Sequence, residues 1–211
     1  MSNKPRGKFI TLEGSEGVGK STNMAVIKNW LQENNIDYVA TREPGGTPLA
    51  EEIRQLLLST REERVDATAE LLLVFAARAQ HINTFIKPHL ERGTWVLSDR
   101  FTDATFAYQG YGRGLDLALI EQLEQTVQQG LQPDLTVYLD VDVKVGLERA
   151  RARGELDRFE QEAIDFFERV RQGYLARVNQ NPARFSVVDA GQVIEKVGLD
   201  VKAQLAQHLS G

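Results

Sequence analysis

Two glycines and a Lys-Ser pair stand at a fixed spacing near the start of the chain. Four residues separate Gly14 from Gly19, and Lys20 and Ser21 follow at once. Glycines allow a tight turn whose N–H groups point at an anion, and the first turn of a helix adds unpaired N–H groups. A lysine here reaches the β- and γ-phosphates of a nucleoside triphosphate, and a Ser hydroxyl here is a ligand for Mg²⁺. The spacing predicts a phosphate-binding loop formed by Gly14, Ser15, Glu16, Gly17, Val18, Gly19, Lys20, Ser21 and Thr22. The alternative is a glycine-rich strand-to-helix turn without a ligand.

Glu16 is the unusual member of this loop, because a carboxylate inside an anion site repels phosphate. A spacer of that charge would weaken the site. We therefore expect Glu16 to face a second ligand or the metal.

Arginines follow two of the apolar, β-rich runs. Arg42 and Glu43 end the second run, and Pro44 keeps the residue before it extended. A guanidinium group fixed at a strand end can hold a substrate phosphate with two hydrogen bonds. A surface ion pair is the alternative reading of Arg42. Thr47 and Pro48 then begin a helix in which Arg54 is a further candidate.

An arginine also lies beside an aromatic residue on the helix predicted from about 68 to 90. Apolar residues recur there at helical spacing, and Arg78 follows Phe75 by three residues. A charge on the apolar side of a helix needs a partner, and an aromatic ring beside an Arg fork suits a flat heteroaromatic base. The alternatives are that Arg78 reaches solvent or pairs with an acid.

The third apolar run ends in Asp99 and Arg100. A buried strand that ends in Asp, downstream of a phosphate-binding loop, is typical of an aspartate that holds Mg²⁺. Arg100 adds a second fixed cation at the same place. Thr105, Tyr108 and Gln109 follow at helix-like spacing, and their hydroxyl and amide groups are suited to reading base edges. They are equally ordinary as capping or solvated residues.

Four arginines crowd the segment from about 149 to 160, on both sides of Gly154. They are Arg149, Arg151, Arg153 and Arg158. A helix face with interleaved ion pairs is the usual interpretation of such a run. Arginines around a glycine hinge are also what a mobile lid needs in order to place positive charge on a phosphoryl group in transfer.

The elements that must position these residues alternate along the chain. Apolar runs at 8–13, 37–41, 94–98, 134–140 and 185–189 are separated by helix-like segments. This order predicts the α/β P-loop NTPase fold, with a five-stranded parallel sheet and helices on both faces. We expect one domain over residues 1–211. Ligands of such sheets bind beyond the carboxyl ends of the strands, where the candidate residues lie.

Composition limits the remaining classes. The 211 residues include 25 basic and 30 acidic side chains, a net charge of −5, and no cysteine. This balance argues against broad nucleic-acid or membrane-surface binding, and the lack of cysteine excludes disulfides and thiol chemistry. Glu13 interrupts the first apolar run, and no run approaches the ~20 residues of a membrane span. We expect a cytoplasmic protein.

Several of these motifs together resemble the bacterial thymidylate kinases, over nearly the whole chain and in the expected order. The motifs are the loop from Gly14 to Thr22, the turn from Thr41 to Gly46, Asp99-Arg100-Phe101, Ala107-Tyr108-Gln109-Gly110 with Gly112-Arg113-Gly114, and the run from Arg151 to Arg158. The resemblance implies transfer of the γ-phosphoryl group of ATP to dTMP, with Mg²⁺, in a homodimer. Arg42 and Arg100 would hold the dTMP phosphate, with Arg54 nearby, and Glu16 would lie near the sugar 3′-hydroxyl.

The resemblance also assigns the base and the lid. Thr105, Gln109 and Arg78 would read the thymine edge, and Arg153 would be the main lid arginine, as in members whose phosphate-binding loop lacks arginine. The loop from Gly14 to Ser21 has none. In many members the stacking aromatic residue lies four positions before the arginine that reads thymine. Here that position is Val74, and Phe75 lies three before.

Two rival functions remain on the sequence. The chain could phosphorylate another nucleoside monophosphate or a small metabolite, or it could be an NTP-driven switch or motor. Against the second, no Asn-Lys-x-Asp motif for guanine occurs, and Arg100 stands where many motor ATPases have a glutamate after the aspartate. ATP turnover with and without dTMP separates these functions.

Overall fold

A five-stranded parallel sheet forms the centre of the computed structural model, which describes residues 5–153 and 157–209. The strand order is β2-β3-β1-β4-β5. The strands are β1 Phe9–Glu13, β2 Tyr38–Arg42, β3 Trp95–Asp99, β4 Leu135–Asp140 and β5 Phe185–Asp189. Each begins within a residue or so of the run that predicted it, and the predicted fold class is confirmed.

Helices connect the strands and pack on both faces of the sheet. Within the described residues they are α1 Lys20–Glu33, α2 Pro48–Leu58, α3 Ala67–His81, α4 Lys87–Glu91, α5 Thr102–Thr105, α6 Leu117–Gln128, α7 Val143–Arg153, α8 Ile164–Gln180 and α9 Ile194–Leu209. A π-helical turn, Ile82–Ile86, joins α3 to α4, and a π-helical segment, Phe106–Gly112, continues α5. None of these helices is both long and apolar enough to cross a membrane.

Burial explains why the strands are nearly continuous apolar runs. All five residues of β1 are buried, because helices cover this central strand on both sides. On one face, Ile10 and Leu12 pack with Ile27 of α1 and Leu205 of α9. On the other face, Phe9 packs edge-on against Phe101, with ring centroids 4.9 Å apart.

Strand register brings the candidate residues to one edge of the sheet. Asp99 at the end of β3 lies beside Leu12 of β1 and beside Arg42 of β2. The phosphate-binding loop leaves β1 directly after Glu13. Helix α2 begins as predicted, with the Thr47 hydroxyl accepting a hydrogen bond from the Ala50 N–H and Pro48 in the first turn.

Two leucines of α9 test the contribution of the core that this helix closes. Leu205 is fully buried against the sheet, whereas Leu199 is 65% exposed on the same helix. Leu205→Ala should lower the free energy of unfolding by about 2–5 kcal/mol, because it leaves a cavity under α9. Leu199→Ala should change it by less than about 0.5 kcal/mol. Urea denaturation followed by circular dichroism measures both, and equal effects would contradict the packing described.

Candidate functional site

A cleft of about 530 Å³ opens beyond the carboxyl ends of β1, β2 and β3. The phosphate-binding loop and the start of α1 form one wall, from Glu16 to Thr22. Most of the other predicted residues line the rest of the cleft, namely Arg42, Arg54, Asp99, Arg100, Thr105, Tyr108 and Gln109. The remaining lining residues are Glu43, Pro44, Leu57, Leu58, Val74, Phe101, Ala104, Arg149, Asp157, Phe159 and Glu160. The cations predicted on separate strands therefore face one space.

The lysine of the phosphate-binding loop hydrogen-bonds to the backbone of the same loop. Lys20 Nζ donates to the carbonyl oxygens of Gly14 at 3.0 Å and Ser15 at 2.9 Å, and these two residues do not line the cleft. Gly17 has φ +69°, and a Cβ built on it would lie 1.8 Å from the Gly146 carbonyl oxygen, so only glycine fits. Burial lowers the pKa of Lys20, and the neighbouring Arg100 charge lowers it further.

Glu16, Arg100 and Tyr108 form a closed triangle of hydrogen bonds in the cleft. Arg100 Nη2 donates to Glu16 Oε1 at 2.5 Å and to the Tyr108 hydroxyl oxygen at 3.0 Å, and that hydroxyl donates to Glu16 Oε1 at 2.8 Å. Burial alone would raise the pKa of Glu16, but the charges of Arg100 and Lys20 outweigh it and lower the pKa to about 2. Glu16 is therefore an anion whose charge offsets those of Arg100 and Lys20.

Arg42 and Arg54 face the same cleft from β2 and α2. Arg42 makes two hydrogen bonds to the Glu51 carboxylate, at 2.9 and 3.3 Å, and remains about half exposed. Arg54 Nη1 donates to the Pro44 carbonyl oxygen at 2.8 Å. Burial lowers the pKa of Arg54, and the charges of Arg42 and Arg100 add to that effect. Arg42, Arg54 and Arg100 therefore lie close enough together in the cleft for the charges of the other two to act on Arg54.

A buried carboxyl group holds the backbone that presents Arg100. Arg100 has φ +69°, a left-handed conformation that is unfavourable for arginine. The next residue, Phe101, donates its N–H to Glu13 Oε1 at 2.6 Å, and the Tyr174 hydroxyl bonds to Glu13 Oε2 at 2.8 Å. Burial, together with the nearby Asp103 charge, raises the pKa of Glu13 to about 8. The role of Glu13 has no signal in the sequence beyond its place before the loop.

Two side chains with oxygen atoms of the kind that Mg²⁺ prefers line the same cleft. Asp99 Oδ1 is buried and has no hydrogen-bond partner within the described part of the chain. Ser21, at the start of α1, is exposed to the same cleft. An unpaired buried carboxylate oxygen is satisfied by a cation or by its bound water.

Arg78, unlike most of the predicted residues, is buried behind the cleft wall and does not line the cleft, and a chain of buried polar groups holds it there. Arg78 Nε donates to Glu43 Oε2 at 2.7 Å, and Nη2 donates to the Phe101 carbonyl oxygen at 3.2 Å. The other oxygen of Glu43 lies 2.9 Å from His81 Nδ1, and His81 Nε2 lies 2.7 Å from the Thr41 hydroxyl. Arg78 Nη1 is buried and has no partner among the described residues. Arg78 thus has an acid partner and one donor left over.

Phe75 departs from the sequence expectation that its ring faces a base. It is 2% exposed and packs with Leu71, Phe106 and Ile120, away from the residues that line the cleft. Val74, one residue earlier, lines the cleft instead. The reason is the phase of α3, which turns the residue four positions before Arg78 toward the cleft and the residue three before it into the core. Arg78 still lies over the Phe75 ring, 5.0 Å from its centroid.

Tyr108 and Gln109 both reach the cleft because they lie in the π-helical segment Phe106–Gly112. Gln109 Nε2 donates to Glu70 Oε1 at 2.8 Å, and Glu70, on α3, is fully buried. Arg113 and Arg158 bond to the same carboxylate. Glu70 and His81 were missed by the sequence reasoning, although both lie on the apolar side of α3 on either side of Arg78.

The predicted lid is described only in part. Arg158 Nε donates to the Leu57 carbonyl oxygen at 2.7 Å, and Phe159 is buried against Tyr108, with ring centroids 5.9 Å apart. Arg151 is exposed at the end of α7. The side chain of Arg153 and residues 154–156 lie outside the described part of the chain.

A second cavity of about 510 Å³ adjoins the phosphate-binding loop on its other side, and sequence reasoning did not find it. Arg149 lines both cavities and donates through Nη1 to the Ala190 carbonyl oxygen at 2.8 Å. The remaining lining residues are Gly17, Val18, Gly19 and the segment 190–195 with Val197. The turn after β5 carries no motif that could have marked it.

Comparisons with known proteins agree with this geometry. A sequence profile described as thymidylate kinase matches residues 12–201. The chain is 63% identical to a thymidylate kinase of Teredinibacter turnerae, covering 96% of this chain and 99% of that protein, and 57% identical to one of Hahella chejuensis, covering 98% and 99%. A crystal structure of thymidylate kinase from Ehrlichia chaffeensis superposes with a TM-score of 0.74 at 38% identity, covering 95% of this chain and 99% of that one.

The raised pKa of Glu13 predicts a pH-dependent stability. The folded protein keeps a proton that the unfolded chain releases above the ordinary pKa of 4.5, so the stabilisation is complete below that pH and is lost as pH rises through about 8. Wild type should therefore lose free energy of unfolding relative to Glu13→Gln between these two pH values, by at most about 1.4 kcal/mol per pH unit. Gln keeps both hydrogen bonds of the protonated acid.

Urea denaturation at a series of pH values measures this difference. Glu121→Gln, at an exposed carboxyl of α6, is the control and should follow wild type throughout. A Glu13→Gln curve parallel to that of wild type would contradict the assignment.

Proposed function

The chain belongs to the thymidylate kinase family, and from that premise we propose how its side chains divide the work of the reaction. The protein transfers the γ-phosphoryl group of ATP to dTMP, giving dTDP and ADP. One observation supports the division most strongly: Lys20, Arg42 and Arg100 line a single cleft, although they come from three different strand ends. Two polyanions can meet end to end only where fixed cations from both sides reduce their repulsion.

Arg42, Arg54 and Arg100 are proposed to hold the phosphate of dTMP. Each guanidinium group lines the cleft, and burial together with the charges of the other two lowers the pKa of Arg54. A bound phosphate would relieve that repulsion and accept bidentate hydrogen bonds from the planar forks. Glu16, held against Arg100 and Tyr108, is proposed to face the sugar 3′-hydroxyl, because its carboxylate can accept a hydrogen bond there.

The phosphate-binding loop is proposed to hold the β- and γ-phosphates of ATP, with Lys20 turning from the carbonyl oxygens of Gly14 and Ser15 to the anion. Ser21 and Asp99 fit Mg²⁺, because Asp99 Oδ1 is an unpaired buried acceptor and Ser21 faces the same space. When bound, Mg²⁺ would neutralise charge that develops on the phosphoryl oxygens.

The base is proposed to lie between Val74, Thr105 and Gln109. Arg78, which has an Nη1 unpaired among the described residues and bonds to the cleft residues Glu43 and Phe101, is proposed to donate to a carbonyl oxygen of the base. Because Phe75 lies in the core, the flat face of the base would meet Val74 rather than an aromatic ring. Buried donors and acceptors that match one substrate leave a mismatched substrate with unpaired groups, which is the strongest source of discrimination.

ATP is proposed to extend across the loop, with its adenine in the second cavity beside Arg149. A guanidinium group stacks well on a flat base. Arg153, whose side chain is not described, is proposed as the lid arginine that reaches the phosphates, within a lid at about 149–160 of a single domain spanning 1–211. This corresponds to the subgroup of the family whose loop lacks arginine.

No general base is needed in this scheme. The phosphate of dTMP is already ionised at neutral pH, so the protein mainly positions the reactants and stabilises the charge of a loose transition state. Lys20, Arg100 and Arg153 are the proposed stabilisers. We propose the cytoplasm as the place of action, because ATP is the phosphoryl donor, and partners limited to small molecules and a second copy of the chain.

An assay of acceptors tests the function. The protein should release ADP rapidly only when ATP and dTMP are both present, with dTDP formed in equal amount. Lys20→Ala should lower kcat by ~10²–10³, because it removes a charge aimed at the transferring group. Lys28→Ala, on the same helix α1, should leave kcat unchanged. Chromatography of nucleotides over time measures all three proteins.

Two outcomes would replace this function. Equal ATP turnover with and without dTMP would indicate an NTP-driven switch. Faster turnover with another nucleoside monophosphate would indicate a different acceptor.

A homodimer is proposed through adjoining faces of α2 and α3. Large apolar side chains are exposed there, Leu49 and Leu56 on α2 and Leu72 on α3, at 49%, 50% and 52%. These two helices pack against each other, and exposed apolar side chains on neighbouring helices are the kind of surface that a second copy would cover. Sedimentation velocity should give a dimer for wild type and a monomer for the double variant Leu56→Asp, Leu72→Asp. Leu199→Asp, on the distant helix α9, should remain dimeric, and a monomeric wild type would refute the proposal.

A further inference from the structure

Glu70 is a fully buried carboxylate that no part of the proposed reaction uses. It lies on α3, two turns before Arg78. Its Oε1 accepts from Gln109 Nε2 at 2.8 Å and from Arg113 Nε at 3.2 Å. Its Oε2 accepts from Arg158 Nη2 at 2.7 Å and from Arg113 Nη2 at 3.2 Å. Two arginines therefore hold this carboxylate in place, and it can only accept hydrogen bonds.

The contact with Gln109 fixes which end of the amide faces the cleft. A side-chain amide has a donor end and an acceptor end, and the carboxylate at 2.8 Å demands the donor. The nitrogen of Gln109 is therefore turned toward Glu70, and its carbonyl oxygen is directed away from it. Gln109 also lines the cleft, so the end it can offer to a ligand is the acceptor.

We propose that Glu70 is a positioning residue for base selection, which acts by holding the Gln109 amide with its carbonyl oxygen toward the base. The proposal rests on the function proposed above and deepens it. Arg78 is the proposed donor beside it: its buried Nη1 is unpaired among the described residues, and Arg78 bonds to Glu43 and Phe101, which line the cleft, although Arg78 itself does not. An acceptor beside a donor complements the N3–H and O4 of thymine. Cytosine presents the reverse pattern, an unprotonated N3 and an amino group at C4.

Replacing Glu70 by Gln should reverse the amide at 109. The new amide would have one oxygen to offer and three neighbours that donate, Arg113, Arg158 and Gln109. Arg113 bonds at both oxygen positions, so the choice lies between Arg158 and Gln109, and a cation attracts the oxygen more strongly than a neutral amide does. The nitrogen of the new side chain would then face Gln109, which must turn its own oxygen toward it and its nitrogen toward the cleft. The cleft would lose the acceptor that thymine requires and gain a donor.

The test compares two ligands that differ only at this edge, dTMP and 5-methyl-dCMP. Isothermal titration calorimetry gives the ratio of their dissociation constants for each protein. Glu70→Gln should lower the preference for dTMP by at least about tenfold, since the acceptor that pairs with thymine is exchanged for a donor, and a tenfold change in the ratio corresponds to about 1.4 kcal/mol. A purely structural defect would weaken both ligands together and leave the ratio unchanged, which would overturn the proposal.

Glu162→Gln is the matched control. Glu162 Oε1 accepts from Arg113 Nη1 at 2.5 Å, so this variant also removes a carboxylate from Arg113, whereas within the described part of the chain Glu162 makes no hydrogen bond to Gln109. Its ratio should equal that of wild type. An equal shift in both variants would mean that Arg113, and not the Gln109 amide, sets the preference, and the proposal would fall.

A measurement on wild type covers the case in which Glu70→Gln does not fold. The side-chain NH₂ group of Gln109, assigned in an NMR spectrum by its loss in Gln109→Ala, should exchange slowly with solvent in the free protein. Rapid exchange would overturn the proposal. The proposed function fails separately, when wild type forms no dTDP from dTMP and ATP.

Discussion

The site depends on one electrostatic constraint: its positively charged side chains repel one another as long as no anion is bound. Burial and neighbouring positive charges lower the pKa values of Lys20 and Arg54. Burial would also lower the pKa of Arg100, but the Glu16 carboxylate outweighs it and raises that pKa. The fold tolerates them because an acid is placed beside the cations at two points. Glu16 bonds to Arg100, and Glu51 bonds to Arg42. Without a substrate these acids carry part of the neutralisation that two bound phosphates would supply.

Local patterns were sufficient to predict the sheet and to bring the phosphate-binding loop, Arg42, Asp99 and Arg100 to one cleft. The spacing of Gly14, Gly19 and Lys20 is a property of contiguous residues, and Asp99 follows its strand directly. Because parallel strands end at the same edge of a sheet, the prediction of a parallel sheet was enough to bring Arg42 and Arg100 together. The reasoning worked wherever a side chain's surroundings are set by its own strand and the turn that follows it.

The contacts of Glu43 and Gln109 could not be predicted in the same way, because their partners are distant in the sequence. Glu43 meets His81 and Arg78 only after β2 and α3 pack together, and Glu70 meets Gln109 across 39 positions. Phe75 shows the limit of periodicity. Both 74 and 75 lie on buried sides of α3, and only the packing of Leu71, Phe106 and Ile120 decides which of the two faces the cleft. A one-residue difference on a helix is a rotation of about 100°.

The buried ion pair between Arg78 and Glu43 is costly to form, since both partners lose their hydration. A well-packed apolar group in place of Arg78 and Glu43 would stabilise the fold as well or better, so stability does not explain this pair. What it provides is orientation. Glu43 accepts from Arg78 Nε with one oxygen and contacts His81 Nδ1 with the other, and the Phe101 carbonyl oxygen accepts from Arg78 Nη2. Among the described residues, Nη1 is then the one nitrogen of this guanidinium group without a partner. Charged partners that cannot rotate without breaking hydrogen bonds turn flexible side chains into a fixed pattern of donors and acceptors, and such a pattern can distinguish one base from another.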